Sequence, residues 1–312
     1  MAIHFVKMQG IGNDYVYLDA VSEPALAERD DLPILAREMS DRHTGIGADG
    51  LILVCRPSSE VVDADVRMRM FNADGSESEM CGNGLRCVAK FAHDRLGIKT
   101  KPMRVETEAG VLSIEYEVND GRLTMATVDM GEPIVYLVDV PVAEDELAWY
   151  REETRCGGIK SGEQCWIASF VSMGNPHAVL FECENKDLFS SGLAALDVAG
   201  IGSSIEHNRA FANRINAHFV DVHSLEEATM RTWERGSGIT RACGTGACAV
   251  CVAGVRTGCL DREVLLHLPG GDLTIRWDER TNHVFMTGPA SESFTGIWPD
   301  DRSAAGEICA PD

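Results

Sequence analysis

The chain has 312 residues, 45% apolar and 25% charged, with a formal net charge of −21 at pH 7. That length suits two domains of about 150 residues; the composition is that of a globular protein, and the acidic balance speaks against nucleic acid, whose binding needs Lys and Arg against phosphates. No apolar run approaches the roughly 20 residues of a membrane helix, and the N-terminal MAIHFVKMQG lacks a signal-peptide core, so a cytoplasmic protein without membrane or nucleic-acid partners is expected. The 11 cysteines read as buried reduced thiols in such a compartment, not as disulfides.

In chain order, Ile3 to Met8 reads as a strand, followed by a glycine turn and the strand-like Tyr15-Val16-Tyr17-Leu18. A helix is predicted over about Leu32 to Met39, and strands over Leu51 to Val54 and Val66 to Phe71. After the turn Asn72-Ala73-Asp74-Gly75, the spacing of Leu85, Val88, Ala89 and Ala92 predicts a helix that Gly97 ends. Strands follow around Met103 to Thr107, Val111 to Val118 and Leu123 to Met130. Beyond a boundary near Gly131 to Pro133, the order repeats. Trp166 to Met173 and Ala178 to Phe181 read as strands, and Leu188 to Asn208 as a polar helical stretch. Ala217 to Val222 and Ala228 to Trp233 are further strands, and a helix from Cys243 to about Thr257 is ended by Gly258. Strands near Glu263 to Leu268, Asp272 to Trp277 and His283 to Thr287 close this half. The stretch Asp139 to Gln164 has no counterpart in the first half and reads as a surface excursion. Strand character returns beyond Gly288.

The repeat is visible in the residues themselves. Cys81-Gly82-Asn83-Gly84 recurs as Cys243-Gly244-Thr245-Gly246, Phe71 as Trp233, Met68-Arg69 as Met230-Arg231, and Gly12-Asn13 as Gly174-Asn175, all displaced by 162 residues. The expected fold class is α/β (α+β): two pseudo-symmetric domains from an internal duplication, each a curved, mostly antiparallel sheet or barrel around a central helix. The N-terminal domain would take residues 1–130, joined by 289–312, and the C-terminal domain residues 131–288.

Each copy places a thiol at the start of an apolar helix. There, unpaired backbone N–H groups and the helix dipole favour a thiolate, and the glycines let the backbone approach an anion. Two such starts facing one another across a domain cleft would bind a carboxylate and stabilise charge left by a departing α-proton. One cysteine would act as thiolate base and the other as thiol acid. Asn175-Pro176-His177 offers an Asn for substrate and a His to help a thiol ionise. Glu234-Arg235 stands where the first copy has Asn72-Ala73; in a cleft, Arg235 could clamp a carboxylate and Glu234 hold an ammonium. Asn216 lies just before a strand. Gly45-x-Gly47-x-x-Gly50 matches a dinucleotide fingerprint in letters only, because a helix precedes it and a strand follows. Cys248, Cys251 and Cys259 read as core residues, without ligands at metal spacing.

Taken together, Lys7-Met8-Gln9-Gly10-Ile11-Gly12-Asn13-Asp14, Phe71-Asn72-Ala73-Asp74-Gly75-Ser76, Met80 to Gly84, Gly174 to His177, Trp233 to Gly236 and Ala242 to Cys248 resemble the diaminopimelate epimerase family. The resemblance runs from about Ile3 to Gly296. It implies an isomerase that needs no cofactor or metal and interconverts LL- and meso-2,6-diaminopimelate on the route to lysine and peptidoglycan. It also implies an active site between two domains, usually in a homodimer. Carried over by motif, Cys81 and Cys243 are the acid–base pair, the first acting on the LL and the second on the meso form, with His177 and Glu234 assisting. Asn13, Asn72, Asn175, Asn216, Glu234 and Arg235 are side-chain contacts to substrate, and Gly82, Asn83, Gly244 and Thr245 backbone contacts. This chain departs from the family at Gly50, where Gln is common, at Gln9, where His is common, and at Ile239-Thr240, where Glu-Thr is usual.

The nearest alternative is a racemase of the same architecture acting on proline, hydroxyproline or histidine. Proline-racemase-like enzymes tend to carry His after the first Cys-Gly, where this chain has Asn83. A thiol hydrolase would leave the second Cys-Gly-x-Gly unexplained, and a non-catalytic amino-acid binder would tolerate loss of both thiols.

Overall fold

The structure, a computed structural model, describes residues 2–61, 63–78, 80–161 and 164–300. It divides into two compact units. Unit 1 takes the described residues through Ala126 together with those from Pro289 onward, and unit 2 is Thr127–Gly288. The boundary expected near Gly131 to Pro133 lies just downstream of this division.

Unit 1 opens with β1 (Ala2–Gly10), β2 (Asn13–Ala20), α1 (Leu32–Ser40), β3 (Gly50–Cys55), β4 (Val66–Asn72) and β5 (Glu77–Ser78). The chain continues through α2 (Gly82–Arg95), β6 (Met103–Thr107), β7 (Gly110–Asn119) and β8 (Arg122–Asp129). β1 pairs antiparallel with β2, β2 parallel with β3, β3 antiparallel with β4, β4 parallel with β6, and β6 antiparallel with β7. The all-apolar β3 is covered on both faces, as a continuous run requires. Leu51 and Leu53 join Val16, Leu18 and the 3.6-spaced Leu32, Leu35, Ala36 and Met39 of α1 in one cluster. Ile52 points the other way, against Gly84 of α2. α2 is buried from Gly82 to His93 and packs on β1, β2, β3, β4, β6 and β7, so the sheet wraps around it.

Unit 2 contains β9 (Tyr150–Arg151), β10 (Cys156–Ser161), β11 (Gln164–Ser172), β12 (Pro176–Phe181), α3 (Val198–Glu206), β13 (Asn216–Ser224) and β14 (Glu227–Glu234). There follow β15 (Gly238–Thr240), α4 (Gly244–Thr257), β16 (Glu263–Leu268), β17 (Gly271–Trp277) and β18 (Val284–Pro289). Its pairing repeats that of unit 1: β11 antiparallel to β12, β12 parallel to β13, β13 antiparallel to β14, β14 parallel to β16, and β16 antiparallel to β17. α2 and α4 are both 14 residues long. α4 is apolar on every side, with Ala247 to Ala253 fully buried, and packs on β11, β12, β13, β16 and β17. The final strand, β19 (Ser291–Pro299), belongs to unit 1, where it pairs antiparallel with β1 from Ala2↔Pro299 to Gln9↔Ser291. The fold is thus mixed α and β, rich in sheet, with one central helix in each unit.

Three sequence readings change. The helix expected over Leu188 to Asn208 is confined to α3. Gly192 takes a φ of 78°, which interrupts any longer helix, and Asp197 starts α3 by accepting from the Gly200 N–H at 3.0 Å. The stretch Asp139 to Gln164 is more than a surface excursion: Val140, Leu147, Cys156 and Ile159 are buried, and β10 adds a full strand beside β11. Cys248 and Cys251 are core residues as read, whereas Cys259 is only partly buried, because it follows the left-handed Gly258 that stops α4.

Candidate active site

In unit 1 the candidate residues gather at the β1–β2 turn and the start of α2. Ile11 and Gly12 carry φ values of 50° and 84°; for a β-branched residue this is strained. The turn is fixed by Gln9, whose Oε1 accepts from the Gly12 N–H at 2.8 Å. It presents Asn13, whose Nδ2 donates to Asp49 Oδ2 at 2.7 Å. Asp49 also receives Arg42 at 2.8 Å. Cys81 is the N-cap of α2: its Sγ accepts from the Gly84 N–H at 3.4 Å and lies 3.4 Å from Asn13 Oδ1, to which the thiol donates. The Tyr15 hydroxyl stands 3.8 Å away. Asn83 is buried and donates its Nδ2 to Asn13 Oδ1 at 3.4 Å; its own Oδ1 has no hydrogen-bond partner. Asn72, at the end of β4, donates to Ser76 Oγ at 3.0 Å. Burial raises the Cys81 thiol above its ordinary range, opposed by the Gly84 N–H, the Tyr15 hydroxyl, the Asn83 N–H and the Arg86 charge.

In unit 2 the candidate residues gather at the start of α4 and the ends of β12, β13 and β14. Cys243 holds the N-cap position of α4 without a side-chain capping bond, and its Sγ lies 3.7 Å from Thr245 Oγ1. Burial pushes its thiol far up, and the carboxylate of Glu234 pushes it further, against the Thr245 hydroxyl and the Gly246 N–H. Glu234 ends β14 and accepts from Thr240 Oγ1 at 2.5 Å, so the Thr of Ile239-Thr240 has a defined task. The Asn216 amide spans the gap between strands: Nδ2 donates to Pro176 O at 3.1 Å and Oδ1 accepts from the Arg235 N–H at 3.0 Å. The Arg235 guanidinium reaches Asn213 O at 2.9 Å. Gly50, in unit 1, leaves no room for the Gln common there, because a Cβ would lie 2.2 Å from Phe71 O.

Two residues not singled out in the sequence hold the unit 2 residues together. His218, two residues after Asn216 on β13, is fully buried. Its Nδ1 is 3.0 Å from Thr232 Oγ1, its Nε2 is 2.8 Å from His177 Nδ1, and His177 Nε2 is 2.8 Å from Asn175 Oδ1. With Asn175 Oδ1 an acceptor, His177 carries its proton on Nε2 and takes one at Nδ1 from His218 Nε2. Thr232 then donates to His218 Nδ1, so both rings are neutral. Burial lowers the His177 pKa well below its usual value, helped by His218 and the Arg235 charge, and burial alone brings His218 to about 3. One nitrogen of each ring and Cys243 Sγ lie within 4.8 Å of one another. A soft cation could bridge these donors only by breaking the ring–ring hydrogen bond and displacing the thiol proton. Glu206, at the end of α3, accepts from Trp233 Nε1 at 2.7 Å and the Gly236 N–H at 3.0 Å, which fixes the turn carrying Glu234 and Arg235. A lone His among Ala217, Phe219 and Val220 gives no sequence signal beyond core packing; the small Gly246, whose Cβ would sit 2.2 Å from His218 Cε1, is its only trace.

A duplicated sheet wrapped on a central helix is the fold of solved racemases and isomerases. The chain matches a hydroxyproline epimerase from Agrobacterium vitis with a TM-score of 0.62 at 14% identity, covering 95% of this chain and 91% of that one. It matches a methylitaconate-delta-isomerase with a TM-score of 0.62 at 16% identity, covering 100% and 99%. The family described as diaminopimelate epimerase matches residues 5–136 and 169–292, leaving out most of the segment that contains β9 and β10. Proteins named diaminopimelate epimerase from Desulfovibrio desulfuricans and Acetivibrio thermocellus are 48% and 45% identical to it, over 95% and 94% of this chain and 98% of each relative. The chain belongs to the diaminopimelate epimerase family.

Proposed function

We propose that the protein interconverts LL- and meso-2,6-diaminopimelate, without a cofactor, by proton transfer between Cys81 and Cys243 across one stereocentre. The observation that carries this reading is the doubled helix start: in each unit a cysteine caps a central 14-residue helix, within a family whose named relatives are diaminopimelate epimerases. In the LL direction the Cys81 thiolate takes the α-proton, the C–H electron pair remains on carbon, and the Cys243 thiol protonates the opposite face. The assignment follows from the surroundings. Burial raises both thiols, but at Cys81 the Gly84 N–H, Tyr15 and Arg86 oppose the rise, whereas at Cys243 the Glu234 carboxylate adds to it, so Cys81 gives up its proton more readily of the two.

The N–H groups of Gly82, Asn83, Gly244 and Thr245 would hold the reacting carboxylate and the charge that develops on it. Asn13, Asn72, Asn175, Asn216, Glu234 and Arg235 would bind the remaining amino-acid groups, and His177 would assist the thiols. The buried Asn83 Oδ1 is an acceptor without a hydrogen-bond partner. The two units are read as domains, and the protein as a cytoplasmic homodimer. Exposed Phe294 and Ile297 on β19 supply apolar surface for a second copy. Among the described residues, no helix is long and apolar enough to cross a membrane.

The test is α-proton exchange in deuterated water, without added pyridoxal phosphate, on LL- and meso-diaminopimelate, proline, hydroxyproline and histidine. Deuterium entering diaminopimelate alone is expected. Exchange confined to one of the other amino acids would replace this reading with the racemase alternative.

A further inference from the structure

Two cysteines that the proposed chemistry does not use meet in unit 2. Cys183 lies in the single-turn helix Glu182–Glu184 that follows β12, and Cys259 directly follows the left-handed residue that stops α4. Their Sγ atoms are 3.3 Å apart, across 76 residues of sequence. A disulfide needs an S–S separation of about 2.05 Å, so the remaining gap is within reach of side-chain rotation. Cys183 is exposed and Cys259 partly so. Cys183 borders a surface groove of about 540 Å³ that Cys165, Glu184 and Lys186 also line, which admits a small reagent. The pair sits at the opposite end of α4 from Cys243, about 20 Å away along a helix of this length. Burial, the contact with Cys259 and the charges of Glu184 and Glu182 push the Cys183 thiol up to about 12, so the reduced pair rests as two thiols.

We infer that Cys183 and Cys259 form a covalent modification site: a dithiol that a small dialkyl disulfide oxidises reversibly to an intrachain disulfide. One cysteine thiolate attacks the reagent and expels a thiolate, leaving a mixed disulfide. The second cysteine, losing its proton, attacks the protein sulfur and expels the other half. Two protons and two electrons leave the protein, and the reagent becomes two thiols. The bond fastens the end of β12 to the end of α4. These two elements carry His177 and Cys243 at their other ends, so the clamp steadies the framework around them without consuming a catalytic candidate. Closing a loop of this length restricts the unfolded chain strongly.

The test treats the full chain with cystamine, blocks remaining thiols, and maps peptides without reduction, alongside thermal unfolding. A Cys183–Cys259 linked peptide is expected, with a rise in Tm of about 10 °C. Dithiothreitol should reverse the rise, and Cys183→Ser and Cys259→Ser, both with unchanged activity when reduced, should lack it. A stable mixed disulfide on Cys183 without the link, a link to Cys165 instead, or a link that leaves Tm unchanged would overturn the inference.

Discussion

Acidification should destabilise unit 2 through its paired histidines. His218 keeps a pKa of about 3 in the folded protein because burial disfavours its cation, against about 6.5 when unfolded. The folded pKa is depressed, so the unfolded state binds the extra proton. Stability is full above pH 6.5 and falls as pH drops toward 3. The slope approaches about 1.4 kcal/mol per pH unit for this ring, which gives about 2 kcal/mol by pH 5 and about 5 kcal/mol at the limit. His177, lowered in the same direction, adds to the loss. Urea unfolding followed by tryptophan fluorescence reports mainly on unit 2, where Trp149, Trp166, Trp233 and Trp277 lie, with only Trp298 in unit 1. His218→Gln keeps hydrogen-bonding groups but cannot titrate. Its stability should start lower at pH 7.5 and fall by about 2 kcal/mol less than that of the natural protein on going to pH 5. Parallel pH slopes for the two proteins would refute the reasoning, since every other titrating group is common to both.

Cys81→Ser and Cys243→Ser should each lower epimerisation by on the order of 10²–10⁴-fold while circular dichroism stays unchanged; full activity in either would end the two-thiol mechanism. Gly246→Ala forces a methyl to within 2.2 Å of His218. Overpacking of about 1–3 kcal/mol outweighs a gain of under about 1 kcal/mol in helix propensity, so calorimetry should show a lower Tm. Because burial holds Cys81 above its ordinary pKa and the base must be a thiolate, kcat/KM should rise with pH between 7 and 9; a flat profile would place the proton acceptor elsewhere.

The strands and central helices were legible because their signals are local: alternation in β4, a continuous apolar run in β3, and a glycine stop for α4. The duplication was legible because both copies kept the residues that shape the helix starts. Asp139 to Gln164 was misread because its buried Val140, Leu147 and Ile159 are separated by polar residues and share no periodicity. His218 and Glu206 were invisible for another reason. Each matters through partners 14 to 41 residues away, Thr232 and His177 for the one and Trp233 for the other, and no local pattern encodes such pairings. Cys259 was assigned to the core with the cysteines of α4, although it lies two residues past the end of that helix, beyond its glycine stop.

The long return of β19 to β1 has a consequence for biosynthesis. β1 leaves the ribosome before the rest of unit 1, yet the strand that covers one of its edges is made only after all of unit 2. At about 5–20 residues per second, that edge waits roughly 15–60 s with unpaired backbone groups, the condition that invites pairing with a stranger. Unit 2 needs no such wait, so the half encoded second is free to reach its native state before the half encoded first.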